Sequence, residues 1–140
     1  ELLENYKYDI IYLDPPYNQR QYAPNYHLLE TIAKYDTPKI KGVSGMRNYD
    51  TQKSTFCNKI KALEDLEMIC KIANYKYIIM SYSSEGIMPQ SDILAIMKKY
   101  GEVKLEEYDY LRFKSNSHKK DNNKKFIKEQ LYILIKTNKG

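Results

Sequence analysis

Asp14-Pro15-Pro16-Tyr17 is the segment of this chain whose residue types and spacing suit chemistry on an amine. A given tetrapeptide occurs by chance in 140 residues with odds on the order of one in a thousand. An exocyclic amine on a nucleobase is a poor nucleophile, because its lone pair is delocalised into the ring. Two acceptors that take both N–H hydrogens pull the nitrogen toward a tetrahedral form and aim the lone pair at an electrophile. The Asp14 carboxylate can supply one acceptor and the Pro15 carbonyl the other. Both prolines, Pro15 and Pro16, fix φ and lack an N–H, so the loop is stiff and presents acceptors alone. Preorganised acceptors stabilise positive charge as it develops on the nitrogen. Tyr17 can stack on a base swung out of a helix, a contact worth ~1–3 kcal/mol. The plain alternative is a proline-rich end to a strand with Asp14 as its turn residue.

The elements around the motif must position it. Tyr8 to Leu13 is a continuous apolar and β-branched run, which reads as a strand buried on both faces, as in a parallel sheet. Pro24 to Tyr35 has helical spacing, and Asp36 to Thr55 is polar, with Pro38, Gly42 and Gly45, so it reads as a long loop. Asn58 to Asn74 carries one apolar stripe of Ala62, Leu63, Leu66, Ile69, Cys70 and Ala73 and is the strongest helix. Tyr77 to Met80 is a second buried strand, leading to Ser81, Tyr82 and Ser83. Pro89 to Tyr100 is a helix with Gly101 as its stop. Val103 to Phe113 and Gln130 to Ile135 are the last strands. Strands alternating with helices give an α/β fold. With no helix between them, the last two strands form a hairpin, so the final strand is antiparallel. Parallel strands end on one ligand-binding edge, and this hairpin turns there.

The charge points the same way. The 23 Lys and Arg against 18 Asp and Glu leave +5, and Lys114 to Lys128, with six Lys and one Asp, holds all of it. Lys114, Lys119, Lys120, Lys124 and Lys125 are therefore candidates for phosphate contact beside the motif. Lys (20), Ile (15), Tyr (15) and Asn (10) all have AT-rich codons, so basicity by itself counts for little. Arg20, Tyr22, Tyr26 and His27 follow the motif and can line a base pocket or meet a flanking phosphate. Lys41 and Arg47 lie in the long loop and can meet nucleic acid. Ser81, Tyr82 and Ser83 can shape the pocket from the second strand. Cys57 and Cys70 make neither a disulfide framework nor a metal site, and read as a semi-exposed thiol and a small core residue. No apolar run approaches the ~20 residues that cross a bilayer, and no secretory or lipid-anchor signal is visible, so a cytoplasmic location is expected.

Asp14-Pro15-Pro16-Tyr17 after Tyr8 to Leu13 resembles the signature of amino-group methyltransferases that use S-adenosylmethionine. The continuation Asn18-Gln19-Arg20-Gln21-Tyr22 and Asn25 to Ala33 resembles, more narrowly, the Dam-like (alpha-group) N6-adenine DNA methyltransferases of restriction–modification systems. The resemblance implies a partial Rossmann-like sheet made of the later strands, with flanking helices and an antiparallel final strand. It implies Asp14, Pro15, Pro16 and Tyr17 as catalytic residues, Asp14 also touching the cofactor. Double-stranded DNA is the implied substrate, a restriction endonuclease an implied partner, and bacterial or phage cytoplasm the implied setting.

That class places a Phe-x-Gly-x-Gly cofactor loop and a target-recognition region before the motif. Gly42, Gly45, Gly86, Gly101 and Gly140 form no such loop. Residues 1–140 therefore resemble the C-terminal catalytic part of one domain, and Glu1, standing where Met would open a natural chain, points to a fragment boundary. The strand ending at Leu13 then becomes an exposed sheet edge, through which self-association is expected. Two alternatives stay open. One is guanine-N2 methylation of ribosomal RNA, whose enzymes can carry the same four residues. The other is a non-catalytic nucleic-acid-binding remnant. With most of the pocket missing, calorimetry on the isolated chain is expected to show no micromolar binding of S-adenosylmethionine; micromolar binding would refute the fragment reading.

Overall fold

A computed structural model describes residues 2–111 and 126–137. In chain order the elements are α1 (Leu2–Asn5), β1 (Lys7–Leu13), α2 (Tyr22–Lys34), β2 (Ile40–Lys41), β3 (Met46–Arg47), α3 (Lys59–Ile72), β4 (Asn74–Ser83), α4 (Gln90–Met97), β5 (Gly101–Leu111) and β6 (Phe126–Lys136). Single 3-10 turns at Asp50–Gln52 and Thr55–Cys57 precede α3.

The main sheet has the order β1-β4-β6-β5. β1 runs parallel to β4, from Lys7↔Asn74 to Leu13↔Met80. β6 is antiparallel to both neighbours, with Ser83↔Glu129 against β4 and Leu111↔Phe126 against β5. The antiparallel final strand is thus as expected, and it lies between β4 and β5. The fold is mixed α/β: a four-stranded sheet with helices. The long Asp36 to Thr55 segment is not wholly loop, since β2 and β3 pair antiparallel within it.

Burial follows a period of two along the central strands. Ile78, Met80 and Tyr82 of β4 and Gln130, Tyr132 and Leu134 of β6 are buried, and their neighbours Ile79, Ser81, Leu131 and Ile133 are half-buried. One face of the sheet packs on α3 and α4 through Leu66, Cys70, Ile93 and Met97. The expectation that β1 is buried on both faces is therefore corrected: Ile11 is buried, but Ile10 and Tyr12 are 56% and 60% exposed. Their apolar character is real, but nothing among the described residues covers that face. For the same reason α2 contains no buried residue, and Leu28, Leu29 and Ile32 are exposed.

Helix ends follow local chemistry. Asn58 caps α3, its Oδ1 accepting from the Ile60 and Lys61 N–H groups at 3.1 and 3.2 Å. Gly101 opens β5 instead of merely stopping α4, and a Cβ there would overlap the Ile135 carbonyl of β6. Cys57 is buried, not semi-exposed, and burial raises its pKa. Burial likewise pushes the Cys70 thiol up to about 12, so it is inert core. Among the described residues no helix is long and apolar enough to cross a membrane. Leu66 is fully buried between helix and sheet. Leu66→Ala is expected to cost about 2–5 kcal/mol in urea unfolding, through lost transfer energy and the cavity left behind.

Candidate active site

The parallel pairing decides where the motif emerges. The β1–β4 register ends at Leu13↔Met80, so Asp14 leaves the sheet level with Ser81, at the carboxyl end of both strands. Asp14 is exposed, Pro15 and Pro16 are half-buried, and the Tyr17 ring is about half exposed. Among the described residues the Asp14 carboxylate accepts no hydrogen bond, so its oxygens are open to an incoming donor. Its charge reaches Glu129 near the start of β6, whose pKa is raised first by burial and then by Asp14. The hairpin ends at Leu111 and Phe126 thus belong to the same edge as the motif. Lys114, Lys119, Lys120, Lys124 and Lys125 lie outside the described residues.

The loop is pinned from behind. Ile87 N–H donates to the Tyr17 carbonyl at 2.9 Å, tying the motif to the turn after β4. That turn is held by Gly86 N–H on the Ser83 carbonyl at 2.9 Å and by Met88 N–H on the buried Tyr82 hydroxyl at 3.2 Å. Tyr82 lies so close over Gly86 that a Cβ there would overlap its ring. Tyr82 and Ser83 are buried and face the turn, while Ser81 is half-buried. These residues act on the motif through the turn they support.

The segment after the motif is pinned as well. Asn18 Oδ1 accepts the Arg20 N–H at 2.8 Å, and the Cys57 thiol donates to the Arg20 carbonyl at 3.3 Å. The Gln21 side-chain amide makes a reciprocal pair with the Ser54 backbone, donating to its carbonyl at 3.0 Å and accepting from its N–H at 2.7 Å. With its backbone held on both sides, Arg20 leaves its guanidinium unpaired among the described residues.

A cavity of about 200 Å³ is lined by Pro16, Tyr17, Asn18, Arg20, Tyr22 and Asn25. A second, of about 220 Å³, is lined by Tyr22, Ala23, Tyr26, Glu30 and Gln52. Tyr22 lines both, and its ring stacks with that of Tyr26, with centroids 6.0 Å apart and planes 19° apart. His27 is half-buried, and its carbonyl accepts from the Thr31 hydroxyl at 2.8 Å. The structure thus brings Asp14 to Tyr17 together with Arg20 and Tyr22, and continues to Tyr26. Arg47 stands apart: its guanidinium donates to both Asp36 oxygens, at 3.1 and 2.7 Å, and to Thr31 at 3.1 Å. Lys41 is exposed beside it. Glu129, Gln21 and Ile87 escape sequence reasoning, because their roles arise from contacts across many residues of chain. Gly86, next to a strand end, carried a weak turn signal.

The Asp14–Tyr17 loop thus stands at the carboxyl edge of a parallel strand pair, beside a cavity lined by Tyr17, Arg20 and Tyr22. Residues 1–96 match the family model of the D12 class N6 adenine-specific DNA methyltransferases, and the chain belongs to that family. It is 40% identical over 138 residues to the type II methyltransferase M.NlaIII of Neisseria lactamica, a match covering 98% of this chain and 41% of that protein. It is 42% identical over 123 residues to the type II methyltransferase M.FokI of Planomicrobium okeanokoites, covering 86% of this chain and 19% of that protein. To the modification methylase StsI of Streptococcus sanguinis it is 37% identical over 139 residues, covering 97% of this chain and 21% of that protein. The chain therefore spans less than half the length of these relatives. No solved structure matches it significantly.

Because the folded state holds Glu129 above its usual value, ionising it costs stability. Below the ordinary glutamate range both folded and unfolded forms are protonated and the penalty vanishes; above the raised pKa it is complete. Glu129→Gln is expected to raise the melting temperature modestly at pH 7 and to leave it unchanged at about pH 3, checked by thermal melts across that range.

Proposed function

We propose that this chain is the C-terminal catalytic part of a site-specific DNA methyltransferase that modifies the N6 amine of an adenine flipped from duplex DNA. The observation that carries the reading is the Asp14 carboxylate, open to a donor at the end of β1. Family membership and the type II methyltransferases named above support it. Asp14 accepts one hydrogen of the target amine and the Pro15 carbonyl the other, so the nitrogen lone pair is freed from the ring and aimed. Pro16 keeps the loop stiff, and Tyr17 stacks on the extruded base. Arg20, Tyr22, Tyr26 and His27 line the approach, with Arg20 suited to a flanking phosphate.

S-adenosylmethionine, when bound, supplies the methyl group on a sulfonium centre. The residues present supply one wall of its site: an open Asp14 carboxylate beside an outer β1 edge unpaired among the described residues, and no Phe-x-Gly-x-Gly loop in the sequence. They do not enclose the cofactor, so no further step is assigned to it. The sheet is read as the later half of a Rossmann-like sheet: β1 and β4 are parallel, β6 is inserted antiparallel between β4 and β5, and earlier strands would pair along β1. In isolation, that edge and the open sheet face favour self-association. A cognate restriction endonuclease fits the type II and modification methylases among the relatives.

The test is methylation of plasmid DNA by the natural full-length protein, with modified adenines mapped. Asp14→Ala is expected to lower the rate by about 10²–10³ or more, as loss of one preorganised group does. Full activity in that variant would sink the assignment.

A further inference from the structure

The β2–β3 hairpin is unused by the site described so far. Its strands contribute two residues each, joined through Gly42-Val43-Ser44-Gly45, with Gly42 and Gly45 at φ 73° and 61°. Both glycines adopt the left-handed backbone that lets so tight a turn close, and Gly45 N–H donates to the Gly42 carbonyl at 3.2 Å. A hairpin this short does not hold itself in water. Arg47 holds it: its side chain is only 10% exposed and grips Asp36 and Thr31, fastening β3 to the C-terminal end of α2. Asp36 answers the clamp with a lowered pKa, through its hydrogen bonds to Arg47.

A fixed hairpin presents a fixed tip. Val43 is wholly exposed, at 111% of its reference area, and Ile40 is exposed below it. Lys39 and Lys41 are exposed and form no salt bridge among the described residues. The nearby carboxylate that feels Lys41, Asp50, is tied to Lys53 at 2.6 Å. No Asp or Glu occurs from Thr37 to Tyr49. A rigid basic element with a small apolar tip and no carboxylate of its own suits duplex DNA, where lysines meet phosphates and an apolar side chain enters a groove. The segment that follows the hairpin is tied back to α2 and to the residues after the motif. Gln52 donates to Glu30 of α2 at 3.2 Å, and Ser54 pairs with Gln21 next to the loop. Thr31 is nine residues along α2 from Tyr22, or ~14 Å at 1.5 Å per residue, so the Arg47 clamp and the motif lie toward opposite ends of one helix.

We propose that the Ile40–Arg47 hairpin is a second DNA-contacting element, with Lys39 and Lys41 on the backbone and Val43 in a groove flanking the target nucleotide. Arg47 is then a positioning residue that acts through the hairpin. The proposal rests on the DNA reading above and adds the element that places the duplex.

The test uses the natural full-length protein and a duplex oligonucleotide carrying its methylation site, with binding followed by fluorescence anisotropy across a salt series. A Lys39→Gln, Lys41→Gln double variant is expected to flatten the slope of log K against log salt by about two. Val43→Asp is expected to weaken binding roughly tenfold, with melting temperatures unchanged in both variants. A wild-type slope and affinity overturn the proposal. So does a Val43→Asp protein that melts earlier yet binds normally, which makes the tip a packing surface for protein. Formation of N6-methyladenine by the wild-type protein is read on the same duplex. Its absence sinks the methylation reading, whereas methylation with an unchanged slope sinks the hairpin proposal alone.

Discussion

The pairing of β1 with β4 is the constraint on which the rest depends. A parallel pair must be joined by a long crossover, and here the chain between Leu13 and Asn74 supplies the motif, α2, the small hairpin and α3. Both strands then end on one edge, so Asp14 to Tyr17 meets the turn that follows Ser83. The Ile87 N–H on the Tyr17 carbonyl joins two segments far apart in sequence. Through Tyr82 and Gly86 the stiffness of the loop is inherited from the core of the sheet. The prolines restrict the loop locally, but this long-range support decides where its acceptors point.

The molecule is well packed on one side of its sheet and open on the other. α3 and α4 bury a continuous core against β4 and β6, while Ile10, Tyr12 and the apolar residues of α2 remain exposed. So much exposed apolar surface around a single strand and helix is uncommon in a self-sufficient domain and marks a surface built to be covered. The relatives have more than half of their length outside the region matched. In the proposed reading that remainder brings the strands that pair with β1 and the cofactor loop opposite Asp14.

Much of the fold was legible because its signals are local. The apolar run to Leu13, the stripe through Leu66 and Cys70, and the lack of a helical pattern between the last two apolar runs each led to the element observed. What was not legible depended on neighbours. The sequence of β1 reads as buried on both faces because its residues are apolar, and burial requires a partner that the described residues lack. Cys57 reads as semi-exposed, but the 3-10 turn before α3 folds it under the Arg20 carbonyl. Arg47 reads as a long-loop residue able to meet nucleic acid, and its contacts to Asp36 and Thr31 arise only once α2 and the hairpin meet.

The sequence by itself determined the chemistry on offer: a carboxylate, two N–H-free prolines and an aromatic ring at the end of a strand, followed by arginine and tyrosines. Those properties belong to residue types and spacings a few positions apart, which the covalent chain carries with it. Only the tertiary structure decided which groups are available to act. Among the described residues it left Asp14 and Arg20 unpaired, committed Arg47 to a clamp, brought Glu129 near Asp14, and raised Val43 on a fastened hairpin. Availability is set by what else competes for each group, and the competitors are distant in sequence.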